Sequence, residues 1–370
     1  MSSTPAPPPG EPPLHAVHVL GSASGGGAAV RSLAAGLVAR GLRVTVCAPR
    51  PAGEECDFTG AGASFAPLWP PADALAVAGI RAASSGADVV HAHGLRPGAL
   101  AALALRGRPT PLVVTWQPRG RPAGARERFT ALLERRVARA AAVVLGATSD
   151  LVDRARLRGA RDARLAPVAV PVPRPAAEDD EARRHKTRAE LGAVARPLLL
   201  GAGPLEPDEG HGTLLDAARD WRALDPEPLL VVAGEGRERA RLRRRVELEE
   251  LSVRLLGRRD DVPELLAAAD AVITPGRWES GFPLAQQALS AGVPLVATAV
   301  GGIPELVGPA AELVPYGDAG ALSRAVARLL TEPGRSERLV ARGLAQAATW
   351  PSEDDAVAHV LSVYDELARR

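Results

Sequence analysis

Cysteine is nearly missing from this 370-residue chain: only Cys47 and Cys56 occur. Two thiols cannot cross-link a chain of this length into a disulfide scaffold, and their spacing is not that of a metal knuckle. Aromatic residues are equally scarce, 11 in all, so the cores must be assembled from Leu, Val and Ala. Small side chains bury little area each, which makes stability depend on many close helix–sheet contacts. Lysine occurs once, as Lys186, against 44 arginines, with Ala, Gly and Pro in excess; this is a compositional bias rather than a binding signal. An excess of charge of one sign is also lacking. With 45 basic and 43 acidic residues the net charge is +2, which gives no electrostatic ground for a nucleic-acid partner. No apolar run of about 18 residues occurs, so no transmembrane helix is expected. The Pro-rich start, Ser2–Pro13, has neither the basic region nor the apolar stretch of a signal peptide. A cytoplasmic protein with two α/β domains is the expectation.

What is present has a repeating grammar. Residues 1–13 read as a disordered leader. The apolar run Leu14–Leu20 leads into a Gly-rich loop ending at Gly25-Gly26-Gly27, and Val30, Leu33, Ala34, Leu37 and Val38 then recur at helical spacing. Leu42–Ala48 returns as a strand, completing a βαβ unit. Further strands are expected at Ala87–Ala92, Pro111–Thr115 and Ala142–Gly146, so residues 14–172 form one parallel-sheet domain. Residues 173–190 read as a linker entering a short helix. The same grammar restarts in residues 191–345, with strands at Arg196–Gly201, Pro228–Ala233, Val253–Leu256, Ala271–Thr274 and Pro294–Ala297. Residues 346–370, containing Trp350 and Tyr364, form a helical tail. Two Rossmann-like domains facing a central cleft are implied, with ligands at the carboxyl ends of the strands.

Candidate chemistry lies in the loops after these strands. The Gly25–Gly27 loop is either a tight turn or a place where a ligand approaches backbone N–H groups at a helix start. His91 and His93 end a strand; metal binding there would need further ligands, and none is spaced to help, so His93 is left as a ligand contact or an ordinary structural residue. In the second half, Gly203–Gly210 is a loop before a helix, with His211 either touching a phosphate or capping that helix. Trp278-Glu279-Ser280-Gly281-Phe282-Pro283-Leu284 follows a strand and a Pro275-Gly276 turn, which puts Glu279 at a strand's carboxyl end. Gln287 sits one to two turns into the next helix, and Gly301-Gly302 makes a second glycine turn at a helix start. Such loops on adjacent strands suit the sugar, ribose and phosphates of a nucleotide-sugar.

Six segments in order then make the chain similar to the retaining GT-B glycosyltransferases of family 4, over residues 16–368. Gly25–Gly27 resembles that family's opening glycine loop, and Asp88–His93 its DxVHxH strand end. Gly203–Gly210 aligns with its GRLxxxKG segment, and Gly234-Glu235-Gly236-Arg237 with its GxGP turn. Ala269–Ala297 and Gly301–Val307 align with the long EGFGL segment and the GGxxExV turn. The resemblance implies a GT-B fold whose C-terminal helix crosses back to the first domain. It implies transfer of a sugar, with retention and without metal or other cofactor, from a nucleoside diphosphate donor to a small-molecule or glycan acceptor. Glu279 would stand near the donor sugar, with His93 at the matching strand end as a further candidate catalytic residue. Gly25, Gly26, Gly27, Gly203, Glu209, Gly210, Arg258, Arg277, Gly281, Phe282, Pro283, Gln287, Gly301 and Gly302 would line the substrate site.

The chain departs from that pattern where charge matters. The family's Arg and Lys on the donor diphosphate are Pro204 and Glu209 here, its histidine near the sugar is Gln117, and the second glutamate of its E-x7-E pair is Gln287. An amide still donates and accepts at Gln287, but a carboxylate at Glu209 opposes the leaving group. Arg277, Arg258, Arg259, Arg119 and Arg121 are the candidate replacements. Three expectations stand: an active glycosyltransferase with a rebuilt phosphate site, a silent homologue serving as a protein partner or binding protein, or another sugar-nucleotide enzyme such as an epimerase or phosphorylase. At most a peripheral membrane association is expected.

Overall fold

A computed structural model describes residues 13–22, 26–68, 73–116, 125–166, 180–277 and 283–369. The chain divides into two compact units: one of residues 1–117, 121–169 and 351–370, the other of residues 118–120 and 170–350. Among the described residues no helix is long and apolar enough to cross a membrane.

The first unit alternates strand and helix: β1 His15–Leu20, α1 Gly27–Ala39, β2 Arg43–Pro49, α2 Arg50–Cys56, β3 Ser64–Leu68, α3 Asp73–Ala83, β4 Val89–His93, α4 Leu95–Ala104, β5 Leu112–Trp116, α5 Ala125–Ala140, β6 Val143–Gly146, α6 Ser149–Leu157 and β7 Ala163–Leu165. The strands pair in parallel in the order β3-β2-β1-β4-β5-β6-β7. All six residues of β1 are buried, as expected for a central strand covered on both faces. The order reverses between β1 and β4, so the loops after these two strands diverge and leave a crevice at their carboxyl ends.

The second unit repeats the plan: α7 Asp180–Leu191, β8 Leu198–Ala202, α8 His211–Asp220, β9 Leu229–Ala233, α9 Arg239–Leu248, β10 Val253–Gly257, α10 Val262–Ala268, β11 Ala271–Thr274, α11 Pro283–Ser290, β12 Leu295–Thr298, α12 Ile303–Val307, β13 Ala311–Val314, α13 Ala319–Thr331 and α14 Arg335–Ala347. Its parallel sheet runs β10-β9-β8-β11-β12-β13, with the reversal between β8 and β11. Asp270 anchors α7 to this sheet. One carboxylate oxygen accepts from the Leu198 backbone N–H at 2.7 Å and from Arg188 at 2.9 Å, and the other accepts from Arg184 at 2.9 Å.

Several elements are absent from the sequence reading. Strands β3, β7 and β13 lie at or near sheet edges, where burial is partial and the apolar pattern weak. Pro67 lies within β3, a position open to proline because an edge strand need not donate on its outer side. Helix α9, Arg239–Leu248, is dense in Arg and Glu. Arg243 with Glu247 and Arg245 with Glu249 form ion pairs at i,i+4 spacing along it.

The last helix, α15 Glu353–Ala368, belongs to the first unit. Ser352 starts it with a reciprocal capping box: its Oγ accepts from the Asp355 N–H, and its own N–H donates to the Asp355 carboxylate. Val357, Val360, Val363, Tyr364 and Leu367 pack into the cluster that holds Leu20, Leu37, Val113 and Leu145. Arg40 pairs with Asp354 and Arg164 with Glu366 along its edges. The closest approach is at Gly36 of α1, where an added Cβ would stand 2.5 Å from Val357 Cγ2. Gly36→Val should therefore overpack the α1–α15 seam and cost about 1–3 kcal/mol in urea denaturation. An unchanged midpoint would contradict this packing.

Candidate functional site

In the second unit, the loops after β8 and β9 interlock through backbone, and the second of them also joins the end of β10. Gly203 N–H donates to Ala233 O at 3.0 Å, Gly234 N–H to Gly257 O at 2.8 Å, and Leu205 N–H to Glu235 O at 2.9 Å. A Cβ on Gly234 would stand 1.9 Å from Gly203 O, and Gly234 has φ +157°, so no other residue fits there. Gly210 is equally constrained: φ is +73°, and a Cβ would stand 1.9 Å from Pro275 O in the loop after β11. Gly210 also precedes α8, whose first N–H groups have no intrahelical partners. The loops after β8 and β11 thus meet at the reversal point of this sheet.

Arg277, Asp208, Glu206 and Glu209 cluster at that point. Arg277, after β11, donates its backbone N–H to Asp208 O at 2.8 Å. Its guanidinium lies 3.9 Å from the Asp208 carboxylate and its Cζ 6.0 Å from the centre of the Tyr316 ring. The Arg277 side chain is 46% exposed. Asp208 itself has φ +69°, a left-handed conformation that an L residue adopts at a cost. Glu206 is committed to Arg237, 2.6 Å from its Nε. Glu209 is half-buried, and burial, followed by the nearby charges of Asp208 and Glu206, pushes its carboxyl up to about 7.

That shift has a sign for stability. The folded protein holds the Glu209 proton to higher pH than the unfolded chain, whose carboxyl titrates near 4.5. Stability is therefore fullest below about pH 4.5 and falls as pH rises toward about 7. Glu209→Gln should raise the melting temperature relative to the parent by an amount that grows from pH 4 to pH 8. A pH-independent difference between the two proteins would contradict the shift.

His211 does not cap α8 by its side chain. It is buried, and its Nε2 lies 3.0 Å from Pro204 O, which closes the 203–210 loop from inside. Burial lowers its pKa, so at neutral pH Nε2–H is the donor to that carbonyl. Among the other sequence candidates, Gly203, with φ +153°, lies in the same loop. Gln287 is half-buried on α11. Gly301 (φ +52°) and Gly302 precede α12 after β12. Thr298 at the end of β12 ties its Oγ1–H to Gly276 O at 2.5 Å, linking these loops. Arg258 is exposed just after β10. Arg259 is held by Asp261. Glu279, Gly281 and Phe282, like Gln117, Arg119, Arg121 and Gly25, lie outside the described residues, as does the side chain of Pro283.

In the first unit, Gly26 (φ +101°) is the N-cap of α1 and Gly27 its first, buried residue. His93 ends β4 at the reversal point and is 6% exposed. The expectation that no further metal-type ligand accompanies His91 and His93 is corrected here: His18 of β1 joins them, and one ring nitrogen from each of the three lies within 4.8 Å of the others. His18 pairs in register with His91, and Leu20 with His93, which puts the three imidazoles on one sheet face. β1 holds His15 and His18, but nothing in their spacing points to His91 and His93, so only the register reveals the cluster. Asp208, Tyr316 and Thr298 were likewise not singled out from sequence; each lies in or beside a loop at a strand end, the one feature that could have marked it.

Comparison with known proteins agrees with this architecture. Residues 183–346 match the family model of glycosyl transferases group 1, and residues 24–171 match that of the glycosyl transferase 4-like domain. A GDP-mannose-dependent monoacylated alpha-(1-6)-phosphatidylinositol monomannoside mannosyltransferase of Corynebacterium glutamicum is 33% identical over 191 residues, 48% of this chain and 49% of that protein. A D-inositol 3-phosphate glycosyltransferase of Salinispora arenicola is 34% identical over 208 residues, 52% of this chain and 46% of that protein. The chain thus spans about half the length of the curated relatives it matches. The crystal structure of Anabaena HepE in complex with UDP-glucose superposes with a TM-score of 0.80 at 18% identity, covering 95% of this chain and 100% of that one. At that identity the likeness bears on fold, which is of the GT-B class with two Rossmann-like parallel sheets. The two matched models fall in succession along the chain and together extend over most of it, so the chain is similar to a glycosyl transferase 4-like domain followed by a glycosyl transferases group 1 domain.

Proposed function

We propose that this protein transfers a sugar, with retention of configuration, from a nucleoside diphosphate donor to a small-molecule or glycan acceptor. The observation that carries the reading is the meeting of the α8 N-terminus, the Gly210–Pro275 backbone contact and Arg277 at the reversal point of the second sheet. Helix N-termini offer unpaired N–H groups and partial positive charge to phosphate, and Arg277 adds a full charge. In this reading Arg277 takes over from the two cations that the family pattern carries at Pro204 and Glu209. Glu209, held up near 7, enters as a neutral carboxyl able to donate to a phosphate oxygen rather than repel it. The mannosyltransferase relative uses GDP-mannose and HepE was crystallised with UDP-glucose, which supports a sugar-nucleotide donor and leaves its base to be measured. Family resemblance assigns Glu279 of the second unit to the donor sugar and names His93 and Gln117 of the first unit as further candidates, and it also supports a metal-independent reaction. Incubation with UDP-, GDP-, ADP- and TDP-glucose and GDP-mannose, followed by assay of released nucleotide, tests this. Slow donor hydrolysis with one base is expected.

A second reading has a specific observation in its favour. Glu206, Asp208 and Glu209 crowd one loop, and among the described residues only Glu206 has a tight cationic partner. A catalytically silent homologue, binding a protein partner or glycan, would tolerate such a loop. Absence of hydrolysis with every donor, together with absence of nucleotide binding, would favour it.

A further inference from the structure

The buried histidines of the first unit are parts of a longer chain of hydrogen-bonding groups. Thr115 Oγ1 lies 2.7 Å from His91 Nε2, and His91 Nδ1 lies 2.6 Å from the Tyr364 hydroxyl. That hydroxyl lies 3.3 Å from His18 Nε2, and His18 Nδ1 lies 3.0 Å from His93 Nε2. The groups come from β5, β4, β1 and α15, and the register of the sheet puts Thr115, His91, His18 and His93 on the face that α15 covers. His18, His91 and Tyr364 are fully buried.

A shared metal ion is a poor account of this arrangement. Imidazole lone pairs lie in the ring plane, so three ligands must aim their edges at one point. Here His91 and His93 are stacked, with ring centres 4.3 Å apart, and His18 and His93 are stacked at 5.2 Å. His91 turns both of its nitrogens to Thr115 and Tyr364 instead.

Burial holds all three imidazoles neutral at pH 7, with His18 brought down to about 4, and keeps the Tyr364 phenol protonated. Each neutral ring then owns one N–H and one lone pair, and Tyr364 owns one proton. Two arrangements satisfy every link and also give the Tyr364 proton an acceptor within this chain of groups. In the first, Tyr364 donates to His91 Nδ1, His91 Nε2–H donates to Thr115, His18 Nε2–H donates to Tyr364, and His93 Nε2–H donates to His18. In the second every bond is reversed: Thr115 donates to His91 Nε2, His91 Nδ1–H to Tyr364, Tyr364 to His18 Nε2, and His18 Nδ1–H to His93 Nε2. All three histidines are Nε2–H tautomers in the first and all three are Nδ1–H tautomers in the second. Any other set either faces two donors or two lone pairs across a link or, where His91 Nδ1–H and His18 Nε2–H both donate to Tyr364, leaves the buried phenol proton without an acceptor in the chain of groups; either fault costs about 1–3 kcal/mol or more.

We propose that Tyr364, His18, His91 and Thr115 are positioning residues that lock the tautomer of His93. They decide, from the C-terminal helix, whether His93 Nδ1 at the end of β4 is an N–H donor or a lone-pair acceptor toward a hydroxyl-bearing acceptor substrate. The use of that nitrogen in transfer rests on the function proposed above; the locking does not. Long-range 1H–15N spectra of the full-length protein, labelled in its seven histidines, read each tautomer without substrate and so separate the two readings. His18, His91 and His93 are expected to share one neutral tautomer at pH 7. Tyr364→Phe should leave His93 averaging between two tautomers while backbone amide spectra remain those of a folded protein. Different tautomers among the three in the parent protein, a charged ring at pH 7, or stoichiometric zinc bound to these nitrogens would overturn the proposal. So would an unchanged His93 in a folded Tyr364→Phe variant; if that variant fails to fold, the parent spectrum alone decides.

Discussion

Glu209→Lys is expected to tighten nucleoside diphosphate binding by about 100-fold at pH 8, because it restores a cation where the family pattern has one. Two unit charges about 4 Å apart interact by roughly 4 kcal/mol at an effective dielectric of 20 and by roughly 1 kcal/mol in water. Glu209 is half-buried, so a change of about 2–3 kcal/mol is the scale on which reversing its charge acts, and that is about two decades in affinity. The substitution carries little folding cost, since Asp208 and Glu206 would face a lysine in place of a like charge. The effect must shrink at lower pH. With a carboxyl titrating at about 7, the parent is largely neutral there at pH 6 and largely ionised at pH 8, so its affinity should fall about tenfold across that interval. Glu209→Gln removes this component, while the titration of the nucleotide's own phosphate is common to both proteins. Calorimetry of the parent, the glutamine variant and the lysine variant at both pH values checks it; parallel pH profiles in the parent and the glutamine variant would refute the role of Glu209.

Arg277→Ala should lower kcat/KM for donor turnover by about 10²–10³, the scale on which one preorganised charge or donor at a departing oxyanion acts. The side chain is half-exposed and its ion pair with Asp208 is long, at 3.9 Å, so its loss should leave the melting temperature nearly unchanged. Arg277→Lys keeps the charge but not the planar fork and should fall between the two. A variant with parent-like turnover would mean that the phosphate is held elsewhere. Arg258 after β10 would be the next arginine to change.

How much of this was legible in the sequence depends on burial and register. Strands such as His15–Leu20 and Leu229–Ala233 are covered on both faces and read as apolar runs ended by glycine. The glycines at 210 and 234 were visible as loop punctuation, but their reason, backbone oxygens of Pro275 and Gly203 within 2 Å of any Cβ, needs the fold. Edge strands β3, β7 and β13 escaped because a partly exposed strand need not be apolar. Pro204 and Glu209 could be read directly as missing cations. What surrounds Glu209 could not, because Asp208 turns back through a left-handed conformation to meet Arg277 from another strand end. His18 and Tyr364 lie far from His91 and His93 along the chain, and no local pattern in either segment points to the others. Register across β1 and β4, and the docking of α15, bring them together.

Titration calorimetry of the purified protein with UDP, GDP, ADP and TDP, at pH 6 and pH 8, bears most directly on whether the strand ends of the second unit form a nucleoside diphosphate site. Micromolar binding of one base, about tenfold weaker at pH 8 and nearly lost in Arg277→Ala, is the expected result. No heat with any of the four nucleotides at either pH would contradict a donor site there and would favour a silent homologue.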